Sequence, residues 1–202
     1  MPKRAKTTSE TAAALLRGEP AIFPTETVYG LGVAVGAADS PEILYDIKER
    51  DHGKPIAWLI ADQSDLDRYG KLVPDFARAL ARTFWPGPLT LIVRAGDAVP
   101  PAFRSAEGTI GLRMPDNDCA LGLIRAVGKP LATSSANRSG GKPPHSFEAL
   151  DPVLTARVAT MLRDADDKDK SGVASTIIDC TAEHPVMVRE GAISISDIQA
   201  LS

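Results

Sequence analysis

The stretch AIFPTETVYGLG, residues 21–32, joins an apolar run to a proline, two threonines, a glutamate and two glycines. The apolar residues 21–23 predict a buried strand that the proline ends. Beyond the proline, backbone amides and hydroxyls have no sheet partner, so they are available to a ligand at the strand end. The same residues also fit a tight strand-to-strand turn, in which Thr25 and Thr27 bind local backbone groups and Tyr29 lies in the core.

Outward from this stretch, helix-like and strand-like segments alternate, with glycine or proline at most of the joins. Thr7 and Glu10 have the spacing of a capping box at the start of a first helix. Ser40 as N-cap and Pro41 at the first helical position predict a second helix that ends near Arg50. This alternation is typical of an α/β protein.

The remaining segments are assigned from their apolar periodicity. Further helices are predicted for QSDLDRY, PDFARALARTFW and CALGLIRAV, and a short one from Ser196. Strands are predicted for PIAWLIA, LTLIV, TIGLRM, KPLAT, ARVATML, STIIDC and PVMVRE. No internal repeat or linker divides the chain, so we expect one domain over residues 1–202.

Composition limits the classes of function. The chain has 202 residues and a net charge of −3, which gives length for a sizeable core but no general affinity for nucleic acid. Any anion site must therefore be local. The two cysteines, Cys119 and Cys180, lie far apart, which favours a reducing compartment. Because no segment is apolar enough for a bilayer span or a signal peptide, we expect a cytoplasmic protein without a membrane partner.

A second polar stretch, IKERDHGKP at residues 47–55, concentrates cations at a helix end and in the loop that follows it. Lys48, Arg50 and Lys54 lie within seven residues and could hold one anion together. The same cations also complement the carbonyl end of a helix, or pair with the acidic residues between them. The sequence of this stretch alone favours that second interpretation.

A third stretch, TSSANRSGGKPP at residues 133–144, follows a predicted strand. Its hydroxyls, glycines and lysine are typical of a loop that holds phosphate through side chains and backbone amides. It lacks the spacing of a Walker A loop, nothing in the chain matches a dinucleotide fingerprint, and a flexible surface loop is the alternative. The run DADDKDK lacks the glycine and final glutamate of a calcium loop, so no metal site is expected there.

No catalytic triad or pair of carboxylates can be argued from the sequence. If the chain is an enzyme, its working groups are cations, hydroxyls and amides. Such groups position and neutralise phosphates rather than transfer protons.

In the order of its motifs, from about residue 10 to 200, the chain resembles the YrdC/TsaC family of threonylcarbamoyl-AMP synthases, in a single-domain form. The motifs are FPTETVYGLG, KER followed by GKP, WPGPLT, TIGLRMP, SSAN, GVASTIID and VREG. The resemblance implies an α/β fold with a twisted mixed sheet, flanking helices and a concave basic groove. It implies that L-threonine, bicarbonate or carbon dioxide, and ATP react to give threonylcarbamoyl-AMP and pyrophosphate.

The resemblance also implies partners and site residues. The product would pass to tRNA-modifying threonylcarbamoyl transferase proteins that form t6A at position 37 of tRNA, and Mg²⁺ would accompany the nucleotide. Threonine contacts are implied for Thr25, Arg113, Thr133 and Ser175, with Arg113 reaching the carboxylate as a fork. ATP contacts are implied for Lys48, Arg50, Lys54, Thr109, Ser135, Asn137 and Arg189. Catalytic roles are implied for two of these, Lys48 and Arg50.

The sequence departs from the family pattern at several positions. Leu59 stands where many longer relatives have a histidine that contacts threonine. Asp51 and His52 follow KER, where family members usually have a proline and a different residue next to it. Ala174 stands where a glutamate is common. Asp51, His52 and Ala174 leave room for a paralogue that acts on another adenylate or hydrolyses one. An RNA-binding module is a further alternative, with weak RNA binding by the same groove, although the acidic balance and the lack of interleaved aromatic and basic residues oppose it.

Overall fold

The computed structural model describes residues 5–52, 56–164 and 170–199. The helices are α1 (Thr8–Leu16), α2 (Glu42–Lys48), α3 (Asp65–Tyr69), α4 (Asp75–Phe84), α5 (Asp118–Val127), α6 (Pro152–Ala156) and α7 (Ile195–Gln199). The strands are β1 (Ala21–Phe23), β2 (Gly30–Ala34), β3 (Ala57–Leu59), β4 (Gly70–Lys71), β5 (Leu89–Ala95), β6 (Thr109–Arg113), β7 (Leu131–Ser135), β8 (Thr160–Met161), β9 (Thr176–Asp179) and β10 (Val186–Arg189).

All of these strands belong to one mixed sheet. Their order is β10-β9-β5-β6-β3-β7-β2-β1-β8, with β4 paired to β5 outside this path. The pairs β9/β5, β6/β3 and β1/β8 are parallel, and the other pairs are antiparallel. The predicted α/β class with a mixed sheet and flanking helices is therefore confirmed.

The stretch at residues 21–32 connects β1 to β2 as an antiparallel pair in which Phe23 lies opposite Gly30. Tyr29 is fully buried, so the interpretation as a strand-to-strand turn is correct. Gly32 brings β2 close to its neighbours: a Cβ atom there would lie 2.8 Å from the Ala132 carbonyl oxygen and 3.0 Å from the Phe23 ring. A larger residue at position 32 would therefore push these strands apart.

The core has two parts, one on each face of the sheet. The larger part packs α2, α3 and α4 against one face through residues such as Leu44, Leu66 and Leu80. The smaller part packs α1 and α5 over one end of the other face, where Phe23 and Leu131 are buried. The rest of that second face is the location of the candidate site.

Several helix and strand ends differ from the prediction. The capping box of α1 is present as predicted, with both Thr7 and Glu10 bonding the other's backbone amide. Helix α2 begins at Glu42, one residue late, because Pro41 takes the cap position. The segment predicted as the strand ARVATML holds the end of α6 and only two strand residues, since the Asp151 carboxylate caps a helix ahead of it. None of the described helices has the length and apolar character that a bilayer crossing requires.

Candidate active site

The open face of the sheet carries small side chains in the middle. Residues that pair directly across strands share one face. Thr133, Ala57 and Gly111 form one such row across β7, β3 and β6, and Leu59 lies opposite Arg113 in the next row. Ala132, Trp58 and Leu112, which neighbour them along the strands, belong to the core on the opposite face. A glycine and an alanine in the row leave space above the sheet.

Two adjoining cavities lie over this face, with volumes of about 250 and 240 Å³. The first is named the arginine cavity here, because Arg50, Arg113 and Arg189 line it together. The second, the neighbouring cavity, is lined by apolar and aromatic side chains with a few polar ones. The residues that line both cavities are Ala57, Thr90 and Ile177.

Most of the predicted site residues converge on the arginine cavity. Its lining includes Thr25, Arg50, Arg113, Thr133, Ser135, Ser175 and Arg189. Thr109 lines the neighbouring cavity instead. Lys48 and Asn137 are absent from the lining of both cavities, and Lys54 lies outside the described residues. The guanidinium at position 50 and the hydroxyls at positions 25 and 135 thus meet in one place.

Arg50 reaches the cavity from the end of α2. Glu49 has the left-handed conformation (φ 52°) that ends the helix, and the chain then turns toward β7. The Arg50 Nη1 donates to Ser134 Oγ at 2.6 Å. Partial burial lowers the pKa of this guanidinium. The Arg50 side chain therefore extends from the end of α2 to β7.

Lys48 lies beside the arginine cavity rather than in its lining. Its side chain is buried, and its ammonium donates to the backbone carbonyl of Ser135 and, at 2.6 Å, to that of Asn137. Burial, with a smaller contribution from the charge of Arg50, lowers the pKa of Lys48 to about 8. These carbonyls engage the ammonium inside the protein, so Lys48 ties α2 to the end of β7 beside the cavity. The ATP-binding and catalytic roles implied for Lys48 stay predictions.

The side chain of Arg113 is hydrogen-bonded to the turn after β1. Its Nη2 donates to Glu26 Oε1 at 2.6 Å and to Thr27 Oγ1 at 3.0 Å, and its Nε donates to the Gly87 carbonyl at 3.3 Å. Both Nη2 hydrogens are therefore engaged within the protein, which leaves Nη1 for a ligand. The fork implied for Arg113 stays a prediction. The sequence analysis did not identify Glu26 as a partner of Arg113. The only sequence signal for it is an acidic residue within a turn of hydroxyl residues.

Arg189 lies on the cavity face because β10 contains a bulge. Met187 pairs with Ile178 and Arg189 with Ile177, so one extra residue, Val188, separates the two pairs. Arg189 Nε and Nη2 donate to the Ser175 carbonyl at 3.1 and 2.6 Å. Partial burial lowers the pKa of Arg189, and the charges of Arg113 and Arg50 lower it further. Arg189 is thus close enough to both of the other guanidinium groups to be repelled by each.

The hydroxyls of the arginine cavity also bind within the protein. Thr25 Oγ1 donates to the Val28 carbonyl at 2.6 Å, as the turn interpretation predicts. Thr133 Oγ1 donates to the Leu131 carbonyl at 2.9 Å. The Ser175 and Thr90 hydroxyls lie 3.0 Å apart. Thr25 Oγ1 also accepts from the amides of Thr27 and Val28, at 3.3 and 3.2 Å, so its bonds are local. The Thr133 and Ser175 oxygens keep acceptor capacity for a ligand.

Two predicted ATP contacts have local structural roles. The Asn137 amide nitrogen donates to the carbonyls of Arg138 and Gly141, at 2.8 Å each, and shapes the loop after β7. Thr109 Oγ1 lies 2.8 Å from Ser105 Oγ at the wall of the neighbouring cavity. Asn137 therefore organises a loop beside the site, whereas Thr109 is placed to meet a ligand in the second cavity.

The departures from the family pattern fall at the cavities. Leu59 and Ala174 line the arginine cavity, where Leu59 supplies an apolar floor beside Arg113. His52 stacks on Tyr45 with ring centroids 4.9 Å apart, and both line the neighbouring cavity. The site is therefore more apolar at Leu59 than a histidine would make it.

The described lining of the arginine cavity contains three arginines and neither aspartate nor glutamate. Glu26 lies outside this lining and offsets part of the charge of Arg113. The basic character of the groove as a whole therefore stays a prediction. Among residues 5–52, 56–164 and 170–199, no three His, Cys, Asp or Glu side chains are grouped to hold a metal ion. The fold and the site thus define a class: an α/β protein with a mixed sheet and an arginine-lined cavity on its open face.

The chain belongs to the Sua5/YciO/YrdC family, whose model, described as "Telomere recombination", matches residues 13–191. The resemblance stated from the motifs is thereby confirmed. Threonylcarbamoyl-AMP synthase of Bacillus subtilis is 40% identical over 94% of this chain and 55% of its own length. A putative threonylcarbamoyl-AMP synthase of Mycobacterium tuberculosis (strain H37Rv) is 35% identical over 92% of this chain and 84% of its own length.

Solved structures agree with this assignment. P. abyssi Sua5 complexed with L-threonine has a TM-score of 0.86 and 32% identity, over 96% of this chain and 56% of that one. This chain spans about half the length of the Bacillus subtilis and P. abyssi proteins.

Proposed function

We propose that this chain is an ATP-dependent nucleotidyltransferase that condenses L-threonine, bicarbonate or carbon dioxide, and ATP into threonylcarbamoyl-AMP and pyrophosphate. The observation that carries the proposal is the convergence of Arg50, Arg113 and Arg189 with the hydroxyls of Thr25 and Ser135 in one cavity. Relatives named as threonylcarbamoyl-AMP synthases support it, and so does the related structure complexed with L-threonine.

The proposed reaction brings two anions together. The threonine amine adds to carbon dioxide and loses a proton to form a carbamate. A carbamate oxygen then attacks the α-phosphorus of ATP, and the bond to the pyrophosphate leaving group breaks. Because both reactants are negative, their encounter requires nearby positive charge and tight orientation. Three guanidinium groups gathered over a small-residue floor provide both.

We assign the substrates to the two cavities by chemistry. Arg113 Nη1 binds the threonine carboxylate, with Thr25, Thr133 and Ser175 around the amino acid. The phosphates lie against Arg50, Ser135 and Arg189. The purine enters the neighbouring cavity, where Tyr45, Phe103 and Thr109 offer aromatic and polar walls. Lys54 remains a proposed ATP contact.

Magnesium is a separate part of the proposal. The described lining of the arginine cavity offers no carboxylate for it. We therefore propose that Mg²⁺ is carried by the triphosphate and that the protein residues named above bind the complex. We further propose that the product passes to tRNA-modifying threonylcarbamoyl transferase proteins in the cytoplasm for t6A37 formation, and that residues 1–202 act as one domain.

The test is a direct assay of both products. Purified protein is incubated with ATP, magnesium, bicarbonate and labelled L-threonine, and the adenylate and pyrophosphate are measured. Pyrophosphate release that requires both threonine and bicarbonate is expected. Release with another amino acid would indicate a paralogue with a different substrate. No release, together with salt-sensitive RNA binding, would favour the RNA-binding alternative.

Ala57 lies where the two cavities meet, so its substitution tests the assignment of ATP across both. Leucine at this position is expected to raise the KM for ATP by about 10-fold, because the larger side chain fills space that the nucleotide crosses. The melting temperature is expected to change little, because the added carbons enter open space rather than the core. The control is Ala57→Ser, which nearly keeps the volume; an unchanged KM for ATP in Ala57→Leu would contradict the assignment.

A further inference from the structure

Glu26 is an acidic residue in direct contact with the arginine cavity's Arg113 but absent from the cavity lining. Its Oε1 lies 2.6 Å from Arg113 Nη2, and the two side chains are only 20% and 8% exposed. Position 26 lies at the turn between β1 and β2, whereas Arg113 is the last residue of β6. The ion pair therefore joins two distant parts of the chain directly behind the site.

We propose that Glu26 is a positioning residue that orients the Arg113 guanidinium so that Nη1 points to the substrate carboxylate. This inference rests on the proposed function. Glu26, Thr27 and the Gly87 carbonyl together engage Nη2 and Nε. Within the described part of the chain, no protein acceptor is bonded to Nη1, so these three contacts fix the plane of the guanidinium and present its remaining nitrogen.

The turn that carries Glu26 can fix the orientation of Arg113 because its own backbone is hydrogen-bonded to another segment. The Glu26 carbonyl accepts from the Ser171 amide and the Thr27 carbonyl accepts from the Gly172 amide, at 3.0 Å each. Thr27 Oγ1 is 2.9 Å from Thr25 Oγ1, which lines the cavity. A carboxylate on a turn anchored at several points provides a fixed reference for the guanidinium it holds.

The charge of Glu26 has a second effect. Arg113 is buried near two other guanidinium groups, whose mutual repulsion would favour movement of its side chain toward solvent. A carboxylate in contact with Nη2 offsets that repulsion without entering the cavity. Glu26 therefore allows one of three neighbouring cations to stay in a buried orientation while the cavity lining stays free of negative charge.

The test is the substitution Glu26→Gln, which keeps the size of the side chain and removes its charge. We expect the KM for L-threonine to rise about 10-fold, while the KM for ATP stays within about 2-fold, because only the threonine contact depends on Arg113. A purely structural role would lower the melting temperature and affect both KM values alike. The control is Glu19→Gln, in an exposed pair with Arg17, for which neither KM is expected to change.

Further measurements keep the outcome clear. If Glu26→Gln fails to fold, Glu26→Asp keeps the charge but shortens the side chain, and a raised KM for threonine alone is again expected. An active wild type with an unchanged threonine KM in both variants would overturn the role of Glu26 alone. Inactivity of the wild type with threonine would instead overturn the proposed function. In that case a crystal structure of Glu26→Gln still decides: a guanidinium of Arg113 that has not rotated would refute the inference.

Discussion

Replacing Arg50 with alanine is expected to lower the rate of pyrophosphate release by about 10²- to 10³-fold, the loss typical when one charge-stabilising donor is removed from an active site. Arg50 lines the cavity in which the two anionic reactants are proposed to meet. Its removal is expected to change the free energy of unfolding by about 1 kcal/mol or less, because partly exposed cations contribute little to stability. Steady-state assays and thermal denaturation of the same preparation measure the two effects.

The chain offers a matched control for this substitution. Arg157 Nη1 donates to the carbonyls of Asp46 and Ile47 in the last turn of α2, at 3.1 and 3.3 Å. It complements the helix end without lining either cavity, so Arg157→Ala is expected to change stability slightly and activity not at all. If Arg50→Ala lowers the melting temperature as Arg157→Ala does and leaves the rate unchanged, the helix-end interpretation of Arg50 is the correct one.

Substitution of Lys48 is expected to have the largest effect on stability. Lys48→Met leaves the Ser135 and Asn137 carbonyls without the buried ammonium that now binds both, which is expected to cost about 3 kcal/mol. Activity is also expected to fall, because the end of β7 carries cavity residues. Chemical denaturation measures the first effect. The control is Lys129→Met, whose ammonium makes an exposed bond to the Gly36 carbonyl; an equally small loss in both variants would refute the role of Lys48.

The pH dependence of stability gives a second test of Lys48. Burial lowers its pKa from the ordinary value of 10.5 to about 8 in the folded protein. Between about pH 8 and 10.5 the unfolded chain therefore binds more protons than the folded one, and the contribution of Lys48 to stability rises with pH in this window. Wild type is expected to gain stability relative to Lys48→Arg, which does not titrate there. Parallel denaturation profiles for the two proteins across this range would contradict a buried ammonium.

The order of the elements was largely predictable, because it depends on local patterns. The capping box of α1 and the buried run at residues 21–23 are short-range signals, and the structure has both. The convergence of Thr25, Arg50, Arg113 and Ser175 came from motif order rather than from spacing. Composition alone left the helix-end, turn and surface-loop interpretations open.

What the sequence did not predict depends on contacts between distant residues. Lys48 has the sequence context of an exposed cation at a helix end, and only the approach of β7 buries it. Glu26 and Arg113 are 87 positions apart, and nothing local indicates that they pair. A strand was predicted within ARVATML, but the two-residue length of β8 and its parallel pairing with β1 depend on a distant segment.

The extra residue at Val188 has a consequence for comparing this protein with its relatives. Side chains along a strand alternate between two directions, so the side to which an arginine points depends on whether the count of preceding paired residues is odd or even. A homologue with the same number of residues but regular pairing would bring its arginine opposite position 176 instead of 177 and turn it toward the protein interior. Sharing the letters VREG is therefore a weaker criterion for a shared mechanism than sharing the bulge that precedes the arginine.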